Sequence, residues 1–261
     1  MKSACIGDNC IDYYDATGEA FPGGNPVNVA VYLRRLGVES AYFGAVGTDI
    51  YGRMLLNRLQ EKGVDISHVQ ILPGQSPLCH VSMENGNRIL GDYSDGVMEH
   101  FRLREEDFSF LQQFDMAVTG LWGRVEEQLS EVKKLGVPVV FDGAERPFDP
   151  AGLIALPCTD IAFFSDDSLG EEELHSKIQS VGALGPQIVV ATRGAKGSMA
   201  YDGKTWVVCP PAPCTVVDTM GAGDSYIAAF LRSWLEKKPI RSCMQAGAEN
   251  AAVTIGYPGA W

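Results

Sequence analysis

The chain has 261 residues, 46% hydrophobic and 21% charged, a balance that suits a compact α/β protein of one domain or one domain with a small appendage. Its formal charge is -12 and it has no Lys/Arg run, which argues against nucleic acid as a partner, because phosphate binding needs clustered cations. No apolar run reaches bilayer-spanning length, so no membrane partner is expected. In chain order, "SACIG" reads as a buried strand, and "NCIDYYDATGEAFP" as a strand pair. "GGNPVNVAVYLRRLG" reads as a helix with Asn25 as N-cap, Pro26 at the first position, an apolar face of Val29, Tyr32, Leu33 and Leu36, and a stop at Gly37. "SAYFGAVG" is the next strand, and "DIYGRMLLNRLQEKG" a helix stopped by Gly63. "PLCHVSMENGNRILGDYSDG" holds two β-like runs around Asn85-Gly86, the dipeptide that favours a type I′ hairpin turn. Further strands are expected at Met116–Thr119, Val137–Asp142, Asp160–Phe164 and Ile188–Thr192, with helical patterns near 105–113, 124–135 and 171–181 between them. This alternation predicts a mainly parallel sheet with helices on both faces, interrupted by small β excursions near 9–22 and 77–94. The excursions suit a lid or an edge for forming a homodimer.

Seven cysteines, an odd number with no C-x-x-C pair, argue against a disulfide framework and for free thiols in a reducing cytoplasm, most simply as small buried hydrophobes. The N-terminal stretch carries Asp8 and Asp12 where a signal peptide would be apolar, so a cytoplasmic location is expected. The four histidines show no metal-ligand spacing.

The chemistry concentrates in "DTMGAGDSYIAAFL", residues 218–231. Gly221, Ala222 and Gly223 precede a helical stripe of Ile227, Phe230, Leu231, Trp234 and Leu235. A glycine-rich entry to a helix exposes unpaired N–H groups at the positive end of the helix dipole, which makes an anion site. Asp224 beside it would repel a phosphate, yet it makes sense as a base for an attacking hydroxyl while the N–H groups hold the transferring phosphoryl group. The plainer reading is a glycine turn whose acid favours the helix start. "GSMAYDGKT" misses the Walker A spacing by one residue, and Tyr226 stands where a dinucleotide fingerprint needs its last Gly.

Three segments share one resemblance. "DTMGAGDS" is similar to the C-terminal signature of the ribokinase-like, or PfkB, carbohydrate kinases, "GGNPVNVA" resembles their N-terminal glycine signature, and "TRGAKG" at 192–197 resembles their nucleotide-side segment. The three occur in the family's order. The resemblance implies a three-layer α/β/α fold with a small β lid. It implies Asp224 as catalytic base and Gly221, Ala222 and Gly223 as the anion hole. It implies a sugar site at Asp12, Gly24 and Asn28, which Asp8 would join, and a nucleotide side at Thr192, Gly194 and Gly197. For Asn25 helix capping is preferred. For Arg193 and Lys196 a solvated face and a phosphate contact stand equal. The family's N-x-x-E segment is replaced by "SDDS", Ser165–Ser168, where Asp166 or Asp167 would take the place of the Glu or water would link the ion to the protein. ATP and Mg2+ are implied, with a monovalent cation allowed.

The wider likeness, in "IGDNCIDYY", "GVDISHV", "GDYSDGVM" and "GAW", is to family members acting on a ketose conjugated to an amino acid. The expected reaction is phosphorylation of its 6-hydroxyl, with Asp92 and Asp95 as candidates for meeting the cationic moiety. Another fructosamine, a plain ketose or a nucleoside remain as alternative substrates. A non-catalytic sugar or nucleotide sensor is the alternative from another class, disfavoured by the intact Asp224 and glycines.

Overall fold

The computed structural model describes residues 1–84 and 87–261, so the expected Asn85-Gly86 turn lies outside the described residues. The strands in chain order are β1 (Lys2–Ile6), β2 (Cys10–Tyr14), β3 (Glu19–Gly23), β4 (Glu39–Phe43), β5 (Ala45–Gly47), β6 (Gln70–Leu72), β7 (Leu78–Glu84) and β8 (Asn87–Ser94). They continue as β9 (Met116–Gly120), β10 (Val139–Asp142), β11 (Ile161–Ser165), β12 (Ile188–Thr192), β13 (Ser198–Tyr201) and β14 (Trp206–Cys209). The helices are α1 (Asn25–Arg35), α2 (Ile50–Glu61), α3 (Glu105–Leu111), α4 (Leu129–Lys134), α5 (Pro150–Ala155), α6 (Glu171–Gly182), α7 (Ala222–Leu235) and α8 (Ile240–Thr254).

An eight-stranded sheet in the order β14-β13-β12-β11-β10-β9-β1-β4 forms the centre. The pairs from β4 to β12 are parallel, and β13 and β14 add on antiparallel. Because side chains alternate along a strand, the sheet feeds two cores. Cys5, Val118, Val140, Phe163 and Val190 pack with the faces of α1, α2, α7 and α8. Their neighbours Ile6, Ala117, Phe141, Phe164 and Val189 pack with α3, α4, α5 and α6. The result is three layers, α/β/α. No helix is long and apolar enough among the described residues to cross a membrane.

A second sheet, β3-β2-β7-β8, stands apart from the first. β2 pairs antiparallel with β3 and parallel with β7, and β7 pairs antiparallel with β8. The register lines up one cross-strand row, Phe21–Asp12–Cys79–Tyr93, on a single face of this sheet.

Three expectations need correction. "SAYFGAVG" is not one strand: β4 ends at Phe43, and β5 belongs to a separate two-stranded sheet with β6. Gly44 makes the break, because a Cβ there would lie 2.0 Å from the Tyr42 hydroxyl. Asn25 is not the N-cap of α1; Gly24 is, and it has no side chain to cap with. The cysteines are all free, but Cys214 is exposed rather than a buried hydrophobe.

Candidate active site

The parallel strands end at the same edge of the sheet, the usual place for ligands in such folds. Asp8 follows β1 there, Asp142 closes β10, and Thr192 closes β12. The loop carrying Asp8 is fixed by buried polar contacts. Asn9 Nδ2 donates to the Tyr42 hydroxyl at 2.9 Å and to the Ala45 carbonyl at 2.8 Å, and the Tyr42 hydroxyl donates to the Gly7 carbonyl at 2.8 Å. Gly24 has φ 106, and a Cβ on it would come within 2.7 Å of Asn9 Cα. Only glycine lets the start of α1 lie against this loop.

α1 and α7 then bring together three carboxylates. Asp224 accepts from Asn25 Nδ2 on Oδ1 at 2.7 Å and from Asn28 Nδ2 on Oδ2 at 2.7 Å. Asn25 Nδ2 also donates to Asp142 Oδ2 at 2.8 Å, so one amide group spends its two N–H bonds on two different acids. The backbone N–H of Asn25 donates to Asp8 Oδ2 at 3.3 Å. Trp261 Nε1 donates to Asn28 Oδ1 at 2.7 Å. Since indole only donates, this bond orients the Asn28 amide with its NH2 toward Asp224. Residues near 260 reach back to α1 a second time, where the Tyr32 hydroxyl donates to the Ala260 carbonyl.

Burial acts on all three acids in the same direction. It raises the Asp224 carboxyl to about 6, with the two asparagine donors pulling the other way. Asp8 is raised to about 6 by burial, opposed by backbone donors and assisted by the charge of Asp224. Asp142 is raised to about 7 by burial and then by the charge of Asp224. Asp8 Oδ1 and Asn25 Oδ1 are buried polar atoms without a hydrogen-bond partner among the described residues. A buried acceptor left this way costs free energy, so such atoms mark where a donor is expected to dock.

The helix that presents Asp224 starts at Gly221, in the left-handed region at φ 71. The two glycines differ in their reasons. A Cβ on Gly221 would lie 2.7 Å from the Tyr32 hydroxyl and 3.1 Å from Ala260 Cβ, whereas a Cβ on Gly223 would meet open space. Gly221 therefore serves the backbone turn, and Gly223 leaves room in front of the helix terminus. That space opens into a cavity of about 640 Å3, bordered by Asp142, Thr192, Gly194, Gly197, Ala222 and Gly223 among others. Its remaining wall is largely apolar, with Phe164, Val216, Ala251 and Ile255 suited to the face of a planar ring. Arg193 and Lys196 are not among the lining residues, and Lys196 Nζ donates to the Asp167 carbonyl at 2.6 Å.

The remaining expected residues fall as follows. Asp12 lies on β2, and its charge acts on the Cys10 thiol together with that of Asp8, which puts the two acids on one side of the lid sheet. Asp166, one of the two acids expected in place of the family Glu, is held by side-chain donors. It accepts from Lys177 Nζ at 2.7 Å and from the Ser168 hydroxyl at 2.8 Å, and these donors hold it down at about 2. Asp92 borders a small cleft with Asp15, His80 and Ser82, away from the row that carries Asp12 and Tyr93. Of the residues gathered here, sequence reasoning reads Asn25 only as a helix cap, meets Trp261 only within the "GAW" likeness, and does not reach Asp142. An Asp ending an apolar parallel strand is the usable signal for Asp142.

A helix start facing a cavity of nucleotide size, with a half-buried carboxylate on its first turn, is the candidate phosphotransferase site on a ribokinase-like fold. The chain superimposes on a ribokinase from Arabidopsis thaliana, solved with ribose and ATP, with a TM-score of 0.90 at 21% identity, covering 99% of this chain and 93% of that one. It belongs to the pfkB family of carbohydrate kinases, whose pattern it matches over residues 3–261. It is 40% identical over 262 residues to a fructoselysine 6-kinase from Shigella flexneri and to one from Escherichia coli, covering 100% of both chains in each case. It is 35% identical over 265 residues to the fructosamine kinase FrlD of Bacillus subtilis, covering 100% of this chain and 93% of the relative.

Proposed function

We propose that the protein transfers the γ-phosphoryl group of ATP to the 6-hydroxyl of fructoselysine, releasing fructoselysine 6-phosphate and ADP. The observation that carries this is the placement of Asp224, held by two amide donors and next in the chain to Gly223, which lines the cavity. In this reading the 6-hydroxyl gives its proton to Asp224 as its oxygen bonds to the γ-phosphorus, and the bond to the ADP oxygen breaks. The Asn25 and Asn28 donors favour the ionised form, so the base is mostly charged at neutral pH although buried. Each carboxylate oxygen has a second lone pair, so the sugar hydroxyl can approach without displacing an asparagine.

The start of α7 at residues 221–223 is the anion hole for the transferring group, through the Gly221 and Gly223 N–H groups, since the Ala222 N–H donates to the Thr219 carbonyl at 3.2 Å. Thr192, Gly194 and Gly197 border the donor cavity, whose apolar wall takes the base. Asp8, Asp12, Gly24 and Asn28 form the sugar side, and Asp8 Oδ1 and Asn25 Oδ1 are the atoms that hydroxyls would satisfy. The sugar itself is named from the 40% identical relatives, which match this chain end to end.

Magnesium accompanies this chemistry by neutralising triphosphate charge. Among the described residues no group of three or more His, Cys, Asp or Glu is arranged around a point, and Asp166 is engaged by Lys177. That donor set fits an ion held mainly by phosphates and water. A cytoplasmic setting goes with the free thiols, and pairing of two copies through the lid goes with the exposed Phe21 on its face.

Asp224→Asn is the direct test. It is expected to retain sugar binding and lose turnover by roughly 10²–10⁴-fold, the range for removing a general base. Near-normal turnover would overturn the role. ADP release measured across fructoselysine, fructose-asparagine, fructose, ribose and adenosine tests the substrate, and saturable binding with no ADP from any of them would favour a sensor.

A further inference from the structure

We infer that Arg124 and Asp95 read the free amino-acid end of the substrate, the guanidinium taking its α-carboxylate and the Asp95 carboxylate its α-ammonium. The inference rests on the reading that the acceptor is a ketose joined through the side-chain nitrogen of lysine. Such a molecule ends in a zwitterion. If its 6-hydroxyl is at Asp224, the conjugated end points away from the helix terminus and out under the lid.

The geometry of the lid gives that end a path. Phe21, Asp12, Cys79 and Tyr93 stand in one row across the four strands of the lid sheet. Asp12 and Tyr93 are two strands apart, about 9–10 Å, within the reach of an extended lysyl chain. Phe21 and Tyr93 at the two ends of the row are 45% and 48% exposed while Cys79 between them is buried, so the row is open at its ends. Tyr93 closes the row two residues before Asp95, the partner of Arg124, and the charges of Asp8, Asp95 and Arg124 all act on its hydroxyl. The row therefore runs from the sugar side to the Arg124–Asp95 pair.

The pair is held in place from the other direction by the loop after β9. A Cβ on Gly7 would lie 2.5 Å from Gly123 Cα, so this loop lies directly on the backbone next to Asp8. Arg124 itself has φ 56, a left-handed conformation that a long side chain rarely adopts and that carries a conformational cost. Its Nη2 donates to Asp95 Oδ2 at 2.6 Å, with side chains 38% and 40% exposed, and Glu99 also acts on the guanidinium. A guanidinium has five N–H donors and a carboxylate about four acceptor sites, more than one such contact consumes. A zwitterion docked on an existing ion pair adds two attractive contacts and no net charge, so neither partner is left uncompensated.

The test compares acceptors within each variant, using ADP release to separate KM from kcat. Three acceptors are needed: fructoselysine, its Nα-acetyl derivative, which lacks the ammonium, and fructosyl-cadaverine, which lacks the carboxylate. Arg124→Met is expected to raise KM roughly 10- to 100-fold for fructoselysine and the Nα-acetyl derivative, the scale of a charge-assisted hydrogen bond, and to leave fructosyl-cadaverine unaffected. Asp95→Asn is expected to raise KM for fructoselysine and fructosyl-cadaverine but not for the Nα-acetyl derivative. Arg124→Lys should restore most of the loss. A purely structural pair would shift all three acceptors together, and that result, or unchanged KM ratios, would overturn the inference while leaving the substrate reading intact. Failure of the wild-type protein to turn over fructoselysine would overturn the substrate reading, and this inference with it.

Discussion

As the proposed base, Asp224 must be anionic in a place partly withdrawn from water. Desolvation alone would favour its protonated form, and the two amide donors at 2.7 Å moderate that pressure rather than abolish it. With the carboxyl near 6, the base is lost as pH falls through that value, some two units above the ordinary 3.8. We therefore expect kcat/KM for ADP release to fall on the acid side with an apparent pKa near 6. Asp8 and Asp142 titrate in the same window and are coupled to Asp224, so the measured value belongs to the cluster. A profile flat down to pH 5 would contradict the assigned base. The same residue scale explains why the capping signal at Asn25 misleads. "GNP" ahead of an apolar stripe is a good start for a helix. The side chain is instead drawn to two acids that lie 117 and 199 residues away, a distance no local pattern can register.

At the scale of elements, α7 shows how two adjacent-looking glycines do separate jobs. Gly221 combines a left-handed backbone with close contact to Tyr32 and Ala260, so Gly221→Ala should cost stability, about 1–3 kcal/mol in urea unfolding. Gly223 is already helical and faces open space, so Gly223→Ala should leave the unfolding midpoint unchanged or slightly higher while raising KM for ATP. Equal effects of both changes on stability would refute the division. Of the stripe, Ile227, Phe230 and Leu231 are buried as the spacing implies, and Trp234 and Leu235 at its end are half-buried against the same core. Tyr226, Ala228 and Ala229 are buried too, because α7 is enclosed by the sheet, α1 and α8. Amphipathic periodicity identifies a helix with one covered face and has no way to report the second. In "SAYFGAVG" the same limit appears for strands, since only the contact of Gly44 with Tyr42 tells where one sheet stops.

Across the whole molecule the acids divide into two sets with opposite consequences for folding. Asp8, Asp142 and Asp224 bind protons more tightly folded than unfolded, so their contribution is present below about 4 and is lost as pH rises through 6 to 7. Asp49, Asp107 and Asp166 are lowered in the fold, so their contribution is present above about 4 and is lost as pH falls. Thermal unfolding should therefore show greatest stability where these windows meet, near pH 4, and decline from there to about pH 7. Asp142→Asn should remove part of that decline, with a higher midpoint than wild type at pH 8 and little difference at pH 4. A wild-type midpoint that rises from pH 4 to 7 would show that the site acids do not govern how stability changes with pH.

The alternation of strands and helices, the mainly parallel sheet, and the glycine-rich start of α7 with the acid on its first turn are all legible in the chain alone. These are properties of short segments: apolar period, glycine placement and a charge beside a helix terminus act within a few residues. Three-dimensional packing was needed to show that Asn25 joins Asp142 to Asp224 and that Trp261 orients Asn28. It was needed equally to show that Asp95 faces Arg124 while Asp92 shares a cleft with His80. Those contacts depend on how parallel strands bring distant chain segments to one edge and how a lid register aligns four strands. Both are set by burial of two cores at once, which no single segment contains.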